Sequence, residues 1–171
     1  MDYMQAAPAT ICTSKAAAAA GTTTTFSTTG ATLYSIKGKA YTTSAASNAA
    51  TPTTDAATGV AFVPVPVGKG SVFVLCYDGS STTAATAIKV VQGSITDLDG
   101  SSADGAVAKF IVAPQFPVIP STLCPFAYVI VKVGSGGAAW TFGAPNLAGP
   151  PSNVGIAFQD VMTLPGNPQV A

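Results

Sequence analysis

Apolar positions along this chain fall into two patterns. Residues 71–77 (SVFVLCY) and 126–133 (FAYVIVKV) are apolar on successive positions, which predicts strands covered on both faces. Residues 32–41 alternate instead: Tyr34, Ile36 and Ala40 fall on one side and Lys37 and Lys39 on the other, as in a strand with one wet face. Residues 87–92 (AIKVVQ), after the Asp78-Gly79 turn signal, read as the hairpin partner of 71–77. Residues 59–67 read as an edge strand or extended connection, because Pro64 and Pro66 remove ladder donors. Residues 107–112 predict a short strand, and Pro114, Pro117 and Pro120 then impose an extended crossing. Residues 139–142 are expected to pair back after the turn at 134–137. The last strand is expected at 156–162, with Ile156, Phe158 and Met162 on one face.

No segment carries a 3.6-residue apolar period with caps. Seven or eight short strands separated by turn signals give an all-β chain, an antiparallel β-sandwich or small barrel of jelly-roll or Greek-key type. The expected core includes Val72, Val74, Cys76, Ile88, Val90, Tyr128, Ile130, Phe158 and Met162. Residues 1–29, with their alanine and threonine runs, read as an extended N-terminal arm held by another chain. Residues 30–163 form the β domain, with a long loop at 42–58, and residues 164–171 form an irregular tail.

Composition sharpens this picture. The 171 residues include no histidine, arginine or glutamate, so the usual proton shuttle, the bidentate guanidinium fork and the commonest general acid are missing. Charged residues make up 8% of the chain, against roughly 25% in ordinary soluble proteins. With a net charge of zero, the surface has little protection against association and no drive toward nucleic acid. So little charge is what the core of an interface shows, which points to a surface meant to be covered. No apolar run approaches the ~20 residues of a membrane span, and the start, MDYM, lacks the basic region of a secretory signal. Cys12, Cys76 and Cys124 form no C-x-x-C motif and are expected as free thiols of a protein made in a reducing cytoplasm.

Three groups of residues invite a chemical reading. Asp97, Asp99 and Asp104 lie in DLDGSSADG, and D-x-D-G opens many calcium loops. The closing glutamate is absent, however, and aspartate and glycine are also what tight turns select, so the loop is a weak metal candidate. Ser35 with Lys37 and Lys39 is the one serine–lysine arrangement, and a solvent face accounts for it. Trp140, Phe142, Tyr128 and Tyr41 could form a sugar platform, although cross-strand aromatic pairs more often stabilise a sheet. Asp78 and Asp160 sit at a turn and on a polar strand face. The expectation is of no enzyme, no catalytic residue and no cofactor.

The blocks KGSVFVLCYD at 69–78, IKVVQG at 88–93, FPVIP at 116–120 and FAYVIVKV at 126–133 together resemble small β-structured virion proteins of tailed bacteriophages, of the capsid decoration (cement) or head-fibre type. The resemblance covers about half the chain and brings no catalytic residues with it. It implies a decoration protein on the capsid surface of the virion, made in the bacterial cytoplasm. Its partners would be the major capsid protein and neighbouring copies of itself, in a trimer or a dimer, with no nucleic acid and no membrane. The alternatives are a tail or fibre component, or a carbohydrate-binding module for host attachment.

Overall fold

The computed structural model of the chain describes residues 9–145 and 147–169. Ten strands lie among the described residues: β1 (Ile11–Cys12), β2 (Ala18–Ala20), β3 (Thr25–Thr28), β4 (Thr32–Ile36), β5 (Lys39–Thr43), β6 (Ala46–Ala50), β7 (Lys69–Tyr77), β8 (Ile88–Asp97), β9 (Cys124–Val133) and β10 (Val154–Asp160). One helical turn, α1 (Ala84–Ala87), lies between β7 and β8. The four long strands form an antiparallel sheet in the order β10-β9-β7-β8. Two three-stranded antiparallel sheets, β1-β4-β5 and β2-β3-β6, accompany it.

The two doubly apolar runs are the inner strands of the main sheet, as expected. One face carries Phe73, Leu75, Tyr77, Val129 and Val131, which pack with Cys12, Ala16, Phe26, Tyr34, Ile36 and Ala46 of the small sheets. The other face carries Val72, Val74, Cys76, Tyr128 and Ile130. It is covered by Leu123 and by the half-buried Phe110, Phe116, Ile119, Val161 and Leu164. The chain is therefore an all-β protein layered about one central sheet.

Aromatic rings join the layers. Tyr41 stacks on Tyr34 at 5.4 Å, Tyr34 on Tyr77 at 4.8 Å and Tyr77 on Phe126 at 4.1 Å between ring centroids. The Tyr77 hydroxyl donates to Thr32 Oγ1 at 3.2 Å, which satisfies its polar end inside the core. Phe73 stacks on Phe142 and meets Phe62 and Trp140 edge-on.

Several expectations are corrected. The 32–41 run is a hairpin rather than one strand. Ile36 pairs with Lys39. Lys37 and Gly38, with φ of 50° and 79°, form the two-residue turn. Positive φ at both turn positions matches the right-handed twist of the flanking strands, and glycine takes the second without strain.

The low-complexity start is no arm from residue 9 onward. Cys12 pairs with Tyr34 in one small sheet and Phe26 with Ala49 in another. Cys12, Ala16 and Phe26 are buried. Residues 1–8 lie outside the described residues. The 42–58 loop contains the end of β5 and all of β6.

The 107–112 run is irregular apart from a single bridge from Phe110 to Leu98. Trp140 bridges Val65 rather than the strand before its turn. Seven of the nine expected core positions are buried. Phe158 is half-buried on the edge strand β10, and Met162 is 49% exposed because β10 ends at Asp160 and the alternation stops there.

These contacts set an expectation for truncation. Removing residues 1–25 takes Cys12 and the all-alanine β2 out of their sheets and uncovers Tyr34 and Phe26. The truncated protein should lose its cooperative thermal transition. A truncated chain that melts like the full chain would show that the small sheets are not part of the core.

Candidate functional site

Each described aspartate is engaged in holding the fold. In the 97–105 loop, Asp97 pairs with Lys69 across the β7–β8 ladder. The Asp99 carboxylate accepts the Ser101 N–H at 3.2 Å and the Lys109 N–H at 3.4 Å. Asp104 accepts the Ala106 N–H at 2.8 Å. These are the local side-chain-to-backbone bonds by which aspartate closes turns. No group of three or more metal-ligating side chains forms among the described residues, so the structure does not bring Asp97, Asp99 and Asp104 together as a ligand set.

Asp160 accepts the Ala18 N–H at 3.0 Å and ties β2 to the end of β10. Asp78 accepts the Ser80 N–H at 2.9 Å and pairs with Lys89 at 3.3 Å. Burial acts to raise the Asp78 carboxyl. The hydrogen bonds from Ser80 and the Lys89 ammonium outweigh it, and the carboxyl lies below its ordinary value.

Asp55 is the group that the sequence did not single out. It is buried, and one carboxylate oxygen accepts the Ala57 N–H at 2.7 Å and the Thr58 N–H at 3.1 Å. The other accepts the Gln92 N–H at 2.7 Å. One side chain thus closes its own turn and docks it on the edge of β8. An aspartate followed by small residues in a low-complexity stretch signals a turn; nothing in that spacing names Gln92 as its distant partner.

Asp55, Asp78 and Lys89 line a cleft of about 560 Å³ together with Thr51, Pro52 and Thr122. Its charged groups are already paired with each other or with backbone, so the cleft presents hydroxyls and apolar walls rather than a free acid or base.

The remaining candidates disperse. Ser35 Oγ donates to the Ala9 carbonyl at 2.7 Å, while Lys37 sits in the hairpin turn and Lys39 lies over the Tyr41 ring at 5.1 Å. Trp140 and Tyr128 are buried, and Tyr41 is half-buried against Tyr34, so these rings belong to packing. All three cysteines are free and buried. Burial raises each thiol, Cys124 to about 12 with Cys12 adding to the effect, so the reactive thiolate is suppressed at neutral pH. Lys132 is buried beside the 97–105 loop; it donates to the Ala106 carbonyl at 3.2 Å, and desolvation lowers its pKa.

The surface offers one further feature, along the outer edge of β8. Residues 55–63 run beside its first half: the Ala56 N–H donates to Val90 O at 2.8 Å, and the Gln92 side chain bonds both backbone groups of Val63. Residues 109–115 run beside its second half, with the Ile111 N–H donating to Asp97 O and the Ser94 N–H to Gln115 O, both at 3.1 Å. The second segment lies close against Gly93, where a Cβ would lie 2.4 Å from Gln115 O and 2.6 Å from Val72 Cγ1. The two segments shield a sheet edge from pairing with another chain. Their outward residues, Val60, Val63, Ile111 and Val112, are exposed.

No family model, curated protein or solved structure matches this chain. No helix among the described residues is long and apolar enough to cross a membrane.

Two variants test these roles. Asp55→Ala leaves the Ala57, Thr58 and Gln92 N–H groups without their acceptor and should cost about 2–4 kcal/mol in denaturant unfolding. A change within about 0.5 kcal/mol would place the anchoring elsewhere. Asp78→Asn keeps an acceptor for Ser80 but removes the charge opposite Lys89. Because the folded carboxyl lies below its unfolded value, its contribution is full above the unfolded pKa and disappears as pH falls through the folded one. The wild type should therefore exceed the variant in stability near neutral pH and converge with it in acid, once the folded carboxyl has taken up its proton. A gap that stays constant with pH would assign the effect to something other than this charge.

Proposed function

We propose that this chain is a virion structural protein, a capsid decoration protein that cements the outside of a phage head by non-covalent contact with the major capsid protein. The observation that carries the reading is a surface with little charge and with exposed Val60, Val63, Ile111 and Val112 on the segments that border β8, on a chain whose described aspartates are all engaged in holding backbone or pairing with lysine. Such a surface is suited to being covered. The resemblance of the 69–78, 88–93, 116–120 and 126–133 blocks to decoration and head-fibre proteins supplies the setting. A tail or fibre component uses the same surface logic and is the second reading within the class. A carbohydrate-binding module is less well supported, because Trp140 and Tyr128 are buried instead of forming a platform.

Cementing by contact requires apolar burial on attachment to exceed the cost of holding the partners in one geometry. At about 25 cal/mol per Å² the gross gain from several hundred Å² is sizeable, and the net gain per copy is far smaller. Repetition over many symmetry-related sites makes a weak contact effective.

The test is to add labelled protein to particles that lack it, and then image and sediment them. Saturable binding over the head surface, with heads that survive heating or chelation longer, is the expected result. Label confined to the tail would move the assignment to the tail or fibre reading. No binding to particles, combined with binding to host polysaccharide, would replace both with the attachment module.

A further inference from the structure

We infer that β10, the second edge strand of the main sheet, is where two copies of this chain join, by antiparallel pairing of β10 with β10 about a two-fold axis at Ala157. The inference stands on the backbone geometry of that edge and does not depend on the particle reading.

The pairing of β10 with β9 fixes which backbone groups face outward. Just beyond the ends of β10, the Val161 N–H donates to Phe126 O at 2.9 Å, and Asn153 O accepts the Gly134 N–H at 2.7 Å. In the register that sets Ile156 opposite Val131, these residues are directly opposed, so the hydrogen-bonded pairs fall at odd-numbered positions. Gly155, Ala157 and Gln159 therefore bond to β9, while Val154, Ile156, Phe158 and Asp160 turn their N–H and C=O groups away from the sheet. The Val154 N–H is used locally, donating to Pro151 O at 2.8 Å, and Asp160 O accepts the Gln159 side-chain amide at 3.4 Å. Among the described residues, no group of this chain bonds the outward N–H and C=O of Ile156 and Phe158, the Val154 carbonyl or the Asp160 N–H. Two other edges are guarded: β8 is bordered by the 55–63 and 109–115 segments, and β5 carries Lys39 beside the Lys37 turn. β10, with the sequence VGIAFQD, has neither lysine nor proline. Its Ile156 and Phe158 pack against the core yet stay half-buried.

The match of this edge to its own image points to a second copy as the occupant. With a two-fold axis at Ala157, Ile156 of one copy lies opposite Phe158 of the other, and Val154 opposite Asp160. Ile156 and Phe158 then exchange both of their backbone bonds on each side of the axis, and each Asp160 N–H meets a free Val154 carbonyl. The remaining two groups of that outer pair, the Val154 N–H and Asp160 O, are the ones already satisfied within their own copy. A register centred on Ile156 or on Phe158 would instead set Asp160 or Val154 against a residue outside β10. The side chains agree with the Ala157 register. Isoleucine meets phenylalanine across the strands, a stabilising β-branched and aromatic pair, and the two Asp160 carboxylates lie at opposite ends of the ladder. At the axis, Ala157 faces itself in a non-hydrogen-bonded pair, where Cα atoms approach to about 4.5 Å and a small exposed side chain fits.

The full chain, free of particles, is measured by light scattering and sedimentation from micromolar to millimolar concentration. Its mass should rise from 16.8 kDa toward twice that value. The Ile156 and Phe158 amides should slow in hydrogen exchange over the same concentrations. Ala157→Lys and Ala157→Asp each set like charges face to face at the axis and should weaken association by about tenfold or more. Both should keep the melting transition, since Ala157 is exposed. An equimolar mixture of the two variants should associate again, because this register brings position 157 opposite itself. Thr42→Lys, at an exposed position on β5, should leave association unchanged. A wild type that is monomeric at the highest concentration overturns the inference. So does association that survives both Ala157 variants, a mixture of the folded variants that stays monomeric, or a dimer in which the Ile156 and Phe158 amides still exchange freely. Association lost with Thr42→Lys overturns it as well. Failure to bind phage heads with self-association retained would overturn the decoration reading and leave this one standing.

Discussion

The structure depends on burying β7 and β9 on both faces at once. Val72, Phe73, Val74, Leu75 and Cys76 succeed one another at 0–1% exposure, and residues 126–131 are nearly as dry. A sheet with apolar side chains on both sides has no wet face, so a layer must be supplied to each. One layer comes from before β7, the two small sheets. The other comes from the 98–123 connection and the residues after β10. The main sheet takes its strands from residue 69 onward, but one of its faces is covered by the residues that precede β7.

This requirement explains what could be read from the chain and what could not. The inner strands, the β8 return and β10 were legible because long apolar runs bounded by turn signals have few alternatives. The covering layers were not. Phe26 and Thr28 face inward on β3, and Ala46 and Ala49 on β6, with threonine, serine and alanine between them. Small residues close-pack against large rings, yet their sequence has the composition of a disordered arm. Burial of Thr28 and Thr43 in the core also erases the apolar-polar contrast on which period counting rests. The Lys37-Gly38 turn was lost for a related reason: the flanking alternation reads straight through it. In the opposite direction, residues 107–112 look like a strand by composition but have only β8's half-occupied edge to join.

The roles of the aspartates were only partly legible in the sequence. A chain limited to lysine and aspartate has few ways to build a reactive site, and the structure shows where its carboxylates go. Asp55 and Asp160 join segments distant in sequence, while Asp99 and Asp104 close turns. In a chain with long irregular connections and 13 prolines, many backbone N–H groups lack a ladder partner, and buried ones are costly unless satisfied. Short acidic side chains satisfy several donors at once. That demand accounts for carboxylates placed singly rather than in clusters, and sequence spacing alone could show only the local half of each arrangement.

The outward side of the β8 cover remains to be explained physically. Along residues 60–67 only Phe62 and Val65 are buried, while Val60, Val63 and Val67 are exposed. Outward positions on β5 and β6 carry threonine and serine, as at Thr42 and Ser47. Threonine has the same branched shape as valine and suits extended backbone equally well, so conformation does not require valine there. Shielding the edge does not require it either, because the bonds to β8 use backbone groups and the Gln92 amide. Valine at those positions adds only apolar surface, a liability for an isolated chain with 8% charge and an advantage for one that is covered. The same reasoning applies to Ile111 and Val112 on the second segment. Two segments far apart in sequence are brought to one edge by the need to protect it, and both are apolar on the side that the fold leaves open.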